Sequence, residues 1–568
     1  MKRAWSRASG SVAILITLVL PHASPAQSPA AVLTGQYNDS RTGANLSETT
    51  LTPANVKSST FGLLFTQPVD ASIFAQPLYV PNLTINGAIH NAVFVATLNN
   101  SVYAFDADSS LPLWHTSLGT PVTLGSSSEP TVGILSTPVI DTGLATMFVV
   151  TFTDESGTYV YRLHALNLLT GVEITNIVVQ GAVPGTGGES QATPCVSWNG
   201  GVVQPPCIPF KANEVLQRPA LLEGPTAATI YAAFGTLSGS ELTSPYHGWV
   251  IGYAYAAGAF TQRMIFNTST SAAQTGPACS APANQCGHGA GIWMSGRGPA
   301  LDSTGVYVVT GNGGYGGTGT GNWGESALRL NDVGVVEDYF TPANFATLNA
   351  DDLDLSSGGQ ILFTSTNQTA QNLMLVGGKT GAVSVMNRAS LGGLTTGNTG
   401  LLQNFNNTPG GCGSGPGLNG CYEIHSPVLW SRTNGAATLY IWAQGDTLRA
   451  WDFNATTNLF HADAHQGTLI AKDYPGGGLS VSANGTSNGI VWAIVPTTSA
   501  SSQTQGALYA FDATNVSTPL WVSTDYWFPT KFSSPTIANG KVYVPTSTLS
   551  TASPASPPAL RIYGLVSH

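Results

Sequence analysis

The chain is predicted to be all-β, an eight-bladed β-propeller closed on itself, and three observations predict it. A unit built from a turn, a strand ending in Pro and apolar residues, and a second aromatic-rich strand recurs along the chain. Its copies are AQPLYV (75–80), STPVID (136–141), QRPALL (217–222), GRGPALD (296–302), HSPVLW (425–430) and SSPTIANGKVYV (533–544). The prolines at 77, 138, 219, 299 and 427 are spaced by 61, 81, 80 and 128 residues, the last step being two periods. Copies with Gly in place of Pro, SSGGQILF (356–363) and GGLSVSANG (477–485), fill the two gaps and bring the count to eight units. Short strands repeated at this length cannot each bury a face alone, so the units must stack, and radial closure removes the free sheet edges. The second observation is the other half of the unit: SVYAFDADSSLPLW (101–114) and ALYAFDATNVSTPLW (507–521) match closely from opposite ends of the chain. LHALNLLTGVEI (163–174) and LRAWDFNATTNLF (448–460) are weaker versions. Each reads as an alternating strand, an Asp or Asn that opens a tight turn, and a large side chain that closes the blade. The third is composition: 8% of residues are charged, while 65 Gly and 35 Pro punctuate the chain, which favours turn-rich sheet over long charged helices.

Taken from the N-terminus, Lys2, Arg3 and Arg7 precede an apolar run (12–20) and a small-residue stretch, ASPA (23–26). This is the plan of a secretory leader cleaved near Ala26, its apolar run being too short to span a bilayer. Residues 27–75 form a lead-in, and 76–568 the propeller. No later stretch reaches the ~18 apolar residues of a membrane span. A formal net charge of −10 without basic runs excludes nucleic acid as a partner. The product is expected to be secreted or periplasmic. Strands such as IYAAFG (230–235) and VYVVTG (306–311) run apolar, as buried sheet does. Residues 184–214 and 268–290 are loop-like and cover one face.

Six Cys fall in three near pairs, Cys195 with Cys207, Cys279 with Cys286, and Cys412 with Cys421, all in Gly-, Pro- and Asn-rich segments. Local disulfides in an oxidising compartment are the plain reading. Metal binding has less support, since no pair has C-x-x-C spacing and only His288 lies close by; the absence of C-x-x-C-H excludes an attached c-type haem.

The A-x-D, turn and Trp repeat resembles the tryptophan-docking repeat of the pyrroloquinoline quinone (PQQ) dehydrogenases, over about residues 33–566. That resemblance implies a propeller of the quinoprotein alcohol dehydrogenase type, in which an early strand such as that in LTPANVKSSTFGLLFTQPVD (51–70) closes the ring against the last blade. PQQ is planar and tricarboxylated, so its site needs an aromatic platform, hard oxygen ligands for a bridging Ca²⁺, and cations for its oxygens.

Four stretches are similar to those that supply these parts in the family. FGTLSGSEL (234–242) places Glu241 as a Ca²⁺ ligand; taken alone it reads equally as a solvated loop carboxylate. GIWMSGRGPALDSTGVYVVTGNGG (291–314) places Trp293 beneath the quinone and Asn312 on Ca²⁺, against a bland reading as core and turn residues. NADDLDLSSGGQILF (349–363), with Leu353 where the family has Trp, places Asp354 as metal ligand and catalytic base, with Asp351 its upstream companion. LMLVGGKTGAVSVMNR (373–388) places Lys379 against the quinone oxygens, both as a cofactor contact and as a catalytic cation.

The chain departs from the family in having no adjacent Cys pair, a Gly-rich run after Asn312, and no obvious blade-one Arg for the PQQ carboxylates. Arg218 and Arg297, each just before a repeated Pro, are the substitutes, unless they bond neighbouring carbonyls. His425 holds an equivalent position, where packing or hydrogen bonding is the common role. The resemblance therefore implies a PQQ- and Ca²⁺-dependent dehydrogenase acting on an alcohol or sugar hydroxyl and passing electrons to an external acceptor. Two alternatives stay open: a non-catalytic propeller scaffold for a protein or glycan ligand, or a propeller enzyme of another class, such as a lyase or hydrolase.

Overall fold

The computed structural model describes Met1 and residues 30–124, 130–225, 228–237, 246–272, 287–365, 371–407, 422–432, 435–472, 474–497, 505–547 and 557–566. Eight antiparallel sheets, each entered through its own innermost strand, form the blades. Blade 1 is Leu78–Ile85, Ala88–Ala96, Ser101–Asp106 and Pro112–Ser117. Blade 2 opens with Val139–Asp141, blade 3 with Leu222–Glu223, blade 4 with Ala300–Asp302 and blade 5 with Gln360–Thr364. Blades 6 and 7 open with Val428–Ser431 and Gly478–Asn484. Blade 8 joins Thr536–Ala538, Lys541–Pro545 and Ala559–Leu565 to Phe61–Pro68, a strand from the lead-in that pairs antiparallel with Ala559–Leu565 and closes the ring.

The repeated Pro does not end a strand, as its sequence context suggested. Pro77, Pro138, Pro299, Pro427 and Pro535 each stand immediately before an innermost strand. Pro lacks an N–H, so it is tolerated just ahead of the first ladder hydrogen bond and not inside the sheet.

Because every blade is covered on both faces by its neighbours, its middle strands bury nearly every residue; Thr229–Thr236 is buried throughout. Apolar clusters fill the spaces between blades, one of them running from blade 8 through blade 1 into blade 2. Trp114 and Trp521 occupy matching places on the outer strands of blades 1 and 7 and reach the following blade. Trp114 donates to the carbonyl of Leu168 at 3.2 Å, and Trp521 packs edge-on against Phe61 and Tyr563.

The axis is filled by the lead-in. Residues 32–43 reach the innermost strand, or its first approach, in all eight blades. Val32 pairs with Tyr79, and the carbonyls of Leu33, Asp39, Ser40, Thr42 and Gly43 accept from Ile140, Leu301, Leu362, Leu429 and Val481. The Tyr37 hydroxyl accepts from the Ile537 N–H, and Arg41 donates to the carbonyl of Leu221. The backbone of one short segment, with the Tyr37 and Arg41 side chains, thus partners the innermost edge of each blade.

Between blades 2 and 3, two small hairpins are pinned by a Cys195–Cys207 disulfide. The expected Cys279–Cys286 and Cys412–Cys421 pairs lie outside the described residues. The single α-helix among the described residues is short, Phe345–Ala350. No helix among them is long and apolar enough to cross a membrane.

Candidate functional site

At the end of the axis where the innermost strands begin, the turns entering blades 3 to 8 converge. Trp293 ends the approach to blade 4, and its indole lies against the strand of blade 3 at Gly235. A Cβ on Gly235 would stand 2.8–3.0 Å from three indole carbons, so only Gly permits this seat. The Arg218 guanidinium lies over the indole, 5.0 Å from the ring centroid and also 5.0 Å from that of Phe532. Phe532 and His425 are tilted against each other at 5.2 Å, Tyr474 meets both edge-on, and Lys531 lies over Tyr474 at 5.1 Å.

Beside this aromatic wall stands a charged cluster. The Asn312 N–H donates to Asp354 Oδ1 at 3.0 Å, and Asn312 Nδ2 donates to Asp352 Oδ1 at 2.6 Å. Lys379 Nζ lies 2.6 Å from Asp354 Oδ2 and 3.2 Å from Asp352 Oδ1. Gly311 makes the approach possible, since a Cβ there would collide with the Asp354 carboxylate. Three residues from separate stretches, Asn312, Asp354 and Lys379, are therefore brought within hydrogen-bonding reach. The Asp354 side chain is 5% exposed and that of Asp352 60%. Burial works against the Lys379 charge, but Asp354 and Asp352 outweigh it and push its pKa up, holding the ammonium. Burial and the neighbouring Asp354 raise the Asp352 carboxyl.

The remaining candidates are placed as follows. Glu241 lies outside the described residues. Arg297 is 2% exposed, and its guanidinium donates to the carbonyls of Arg41 and Pro427, on the lead-in and the approach to blade 6. Asp351 ends the short helix, its N–H bonded to the Thr347 carbonyl. The carboxylate that accompanies Asp354 is Asp352, whose left-handed backbone, φ 56°, lies in the turn between helix and site. Leu353 is buried.

Sequence reasoning missed two groups. Asp352 stood one residue from the expected companion. Glu325, fully buried beneath Asp354, accepts from the Leu355 N–H at 2.7 Å; burial first, then Asp354, pushes its pKa well above the usual carboxyl range. Its only sequence signal was a carboxylate inside the Gly-rich run after Asn312. Among the described residues no three His, Cys, Asp or Glu side chains are grouped to hold a metal ion; Asn312 and Asp354 offer hard oxygens to a site needing a further donor.

No protein-family model matches the chain, and no curated protein is significantly similar to it. Among solved structures, the fold is similar to the quinohemoprotein alcohol dehydrogenase ADHIIG of Pseudomonas putida HK5, with TM-score 0.57 and 12% identity over 94% of this chain and 80% of that one. It is similar to the quinohemoprotein alcohol dehydrogenase of Comamonas testosteroni, with TM-score 0.55 and 13% identity over 94% and 80%. A europium-containing methanol dehydrogenase gives TM-score 0.55 and 13% identity over 94% and 98%. At these identities the likeness is one of fold: an eight-bladed propeller matching quinoprotein dehydrogenase structures.

Proposed function

We propose that this chain is an exported dehydrogenase that oxidises an alcohol or sugar hydroxyl using PQQ and Ca²⁺ and passes the electrons to an external acceptor. The observation that carries the reading is the convergence of Asn312, Asp354 and Lys379 beside Trp293 at the mouth of the axis. A flat, anionic ring system suits this donor set. Trp293 offers a stacking face backed by glycine, and Lys379, Arg218 and Lys531 offer cations to carboxylates and quinone oxygens. Asn312 and Asp354, with Glu241, are the residues that would hold the Ca²⁺. The leader-like N-terminus and the Cys195–Cys207 disulfide support export.

When bound, the quinone would supply the two-electron acceptor. The chain's own residues handle the proton. A substrate hydroxyl seated against the Asp354 carboxylate gives up its proton there, as to a general base. Lys379, 2.6 Å from Asp354 Oδ2, keeps that carboxylate oriented. Asp352, bridged to Asp354 by Lys379, reaches solvent and gives the proton a way out.

The test is to add PQQ and Ca²⁺ to the purified protein, follow binding by absorbance, and measure dye reduction with a panel of alcohols and aldoses. Saturable binding with substrate-dependent dye reduction supports the reading. Its failure assigns the chain to the second reading, a propeller scaffold for a protein or glycan ligand. One observation favours that reading: a ring stacked on Trp293 must displace the Arg218 guanidinium already there.

A further inference from the structure

The quinone reading leaves one cluster at the mouth without a task. Ser295 Oγ lies 2.8 Å from His425 Nδ1, and His425 Nε2 lies 2.9 Å from Glu423 Oε2. The three residues come from the approaches to blades 4 and 6, 130 residues apart for the Ser–His pair, so no local turn chemistry brings them together.

The protonation pattern follows from the partners. A carboxylate only accepts, so Nε2 carries the imidazole proton toward Glu423. Nδ1 then presents its lone pair to the Ser295 hydroxyl, which donates to it. Burial lowers the His425 pKa, against the pull of Glu423 and with the help of Lys379 and Arg218, which favours the neutral imidazole with a free lone pair. Tyr474 and Phe532 clamp the ring from two sides.

Ser295 itself sits on strained backbone. Met294, Ser295 and Gly296 all have left-handed φ, of 45°, 43° and 79°. Two consecutive non-glycine residues in that region are held only where surrounding structure over-determines them, and such strain gathers at nucleophiles and ligand clamps. Ser295 follows Trp293 by two residues, and its partner His425 packs on the Phe532 ring that also holds Arg218. The Ser295–His425 pair thus joins the aromatic wall that holds the Arg218 guanidinium, a cation that could offset developing negative charge.

We infer that Ser295, His425 and Glu423 form a serine acyl-transfer site, with Ser295 as nucleophile, His425 as general base and Glu423 as the residue that positions the imidazole. Its substrate class is a small carboxylic ester or lactone, since Ser295 is only 5% exposed and a bulky acyl group cannot reach it. In the first half-reaction the Oγ–carbonyl carbon bond forms and the carbonyl carbon–alkoxy bond breaks. The serine proton passes through His425 to the departing alkoxide. Water then attacks the acyl-serine, delivers a proton through His425 to Oγ, and releases the acid. The sum is ester plus water giving acid plus alcohol, with no oxidant or cofactor. The inference is independent of the dehydrogenase reading.

The test uses the full chain without quinone or Ca²⁺. A fluorophosphonate probe is expected to label the folded protein at Ser295, located by peptide mass spectrometry, and p-nitrophenyl acetate to be hydrolysed with an initial burst. Ser295→Ala should abolish labelling while melting at a temperature close to wild type. Ser295→Cys guards against a folding artefact: its thiol, beside His425, should react with iodoacetamide at pH 6 at least ~10-fold faster than a free thiol. Glu423→Gln should slow labelling ~10-fold or more and displace its pH profile, with Glu423→Asp recovering part of the rate. Absence of Ser295 labelling in the folded wild-type protein, or equal hydrolysis by Ser295→Ala, overturns the inference, as does a pH profile that Glu423→Gln leaves in place.

Discussion

The lead-in that fills the propeller axis and the mouth of that axis solve the burial of charge in opposite ways. Around the lead-in, two guanidiniums are buried against backbone carbonyls. Arg41, fully buried, donates to the carbonyls of Gly35, Pro299 and Leu221 and to the Thr34 hydroxyl, and Arg297 donates to the Arg41 and Pro427 carbonyls. Burial lowers their pKa values to about 10 and about 9, so both stay charged at neutral pH. At the far ends of the innermost strands, Asp39 and Glu223 line a cavity of about 390 Å³ with no cation among its described lining residues, and Asp141 acts on Glu223 from beside it. Burial, then Asp141, pushes Glu223 up to about 8. At the mouth the arrangement is reversed: carboxylates and cations are interleaved, and aromatic rings hold the remaining positive charge. The lead-in spends its charges on fixing backbone, whereas the mouth sets carboxylates and cations against one another beside aromatic rings.

The largest effect is expected at Arg41. Arg41→Met leaves three buried carbonyls without their donor and is expected to cost at least ~3 kcal/mol, read as a lower denaturant midpoint or loss of folded protein. A variant as stable as wild type would show that the lead-in merely fills the axis. At the mouth, Asp354→Asn is expected to reduce turnover at least ~10²-fold while PQQ still binds, because the base is lost and an oxygen ligand is kept. Melting should move by only a few degrees, and a collapse of the fold would place Asp354 with the structural charges instead.

Gly235→Ala sharpens the same contrast more gently. Its Cβ must tilt the Trp293 indole, so PQQ affinity should weaken by about 10-fold with the melting temperature little changed, as measured by absorbance titration. The smallest effect concerns Glu223. Its folded pKa, about 8, lies above the ordinary carboxyl value of 4.5. The stability it contributes is therefore complete below pH 4.5 and lost as pH rises through 8. Melting temperature should fall by a few degrees between pH 5 and pH 9, and Glu223→Gln should flatten that slope. An unchanged slope in the variant would mean that the Asp141 and Asp39 charges do not reach this group.

Much of the architecture was legible because each blade repeats its own instructions. A Pro or Gly ahead of an apolar strand marks every innermost strand, and the A-x-D turn with its following Trp marks the third and fourth strands of blades 1 and 7. The parts of the site that sit on such motifs could be named in advance: Trp293 and Asn312 flank one innermost strand and its neighbour, and Lys379 follows the second strand of blade 5. Asp352 could not, since one left-handed residue after a short helix decides which of three nearby acids faces Lys379. Arg297 and Arg218 look alike in sequence, each one residue before a repeated Pro or its neighbour. Only their surroundings separate them, one caged by carbonyls and the other stacked between two rings.

By itself, then, the sequence determined the period, the strand content, the blade number and the disulfide between Cys195 and Cys207, because each depends on residues close together or on a pattern repeated eight times. The assembled ring is what put residues 32–43 in the axis, buried Glu325 beneath Asp354, and brought Ser295, His425 and Glu423 together. These depend on which of several equivalent turns converge around a closed ring. That convergence is set by long-range packing, and no local periodicity or propensity carries it.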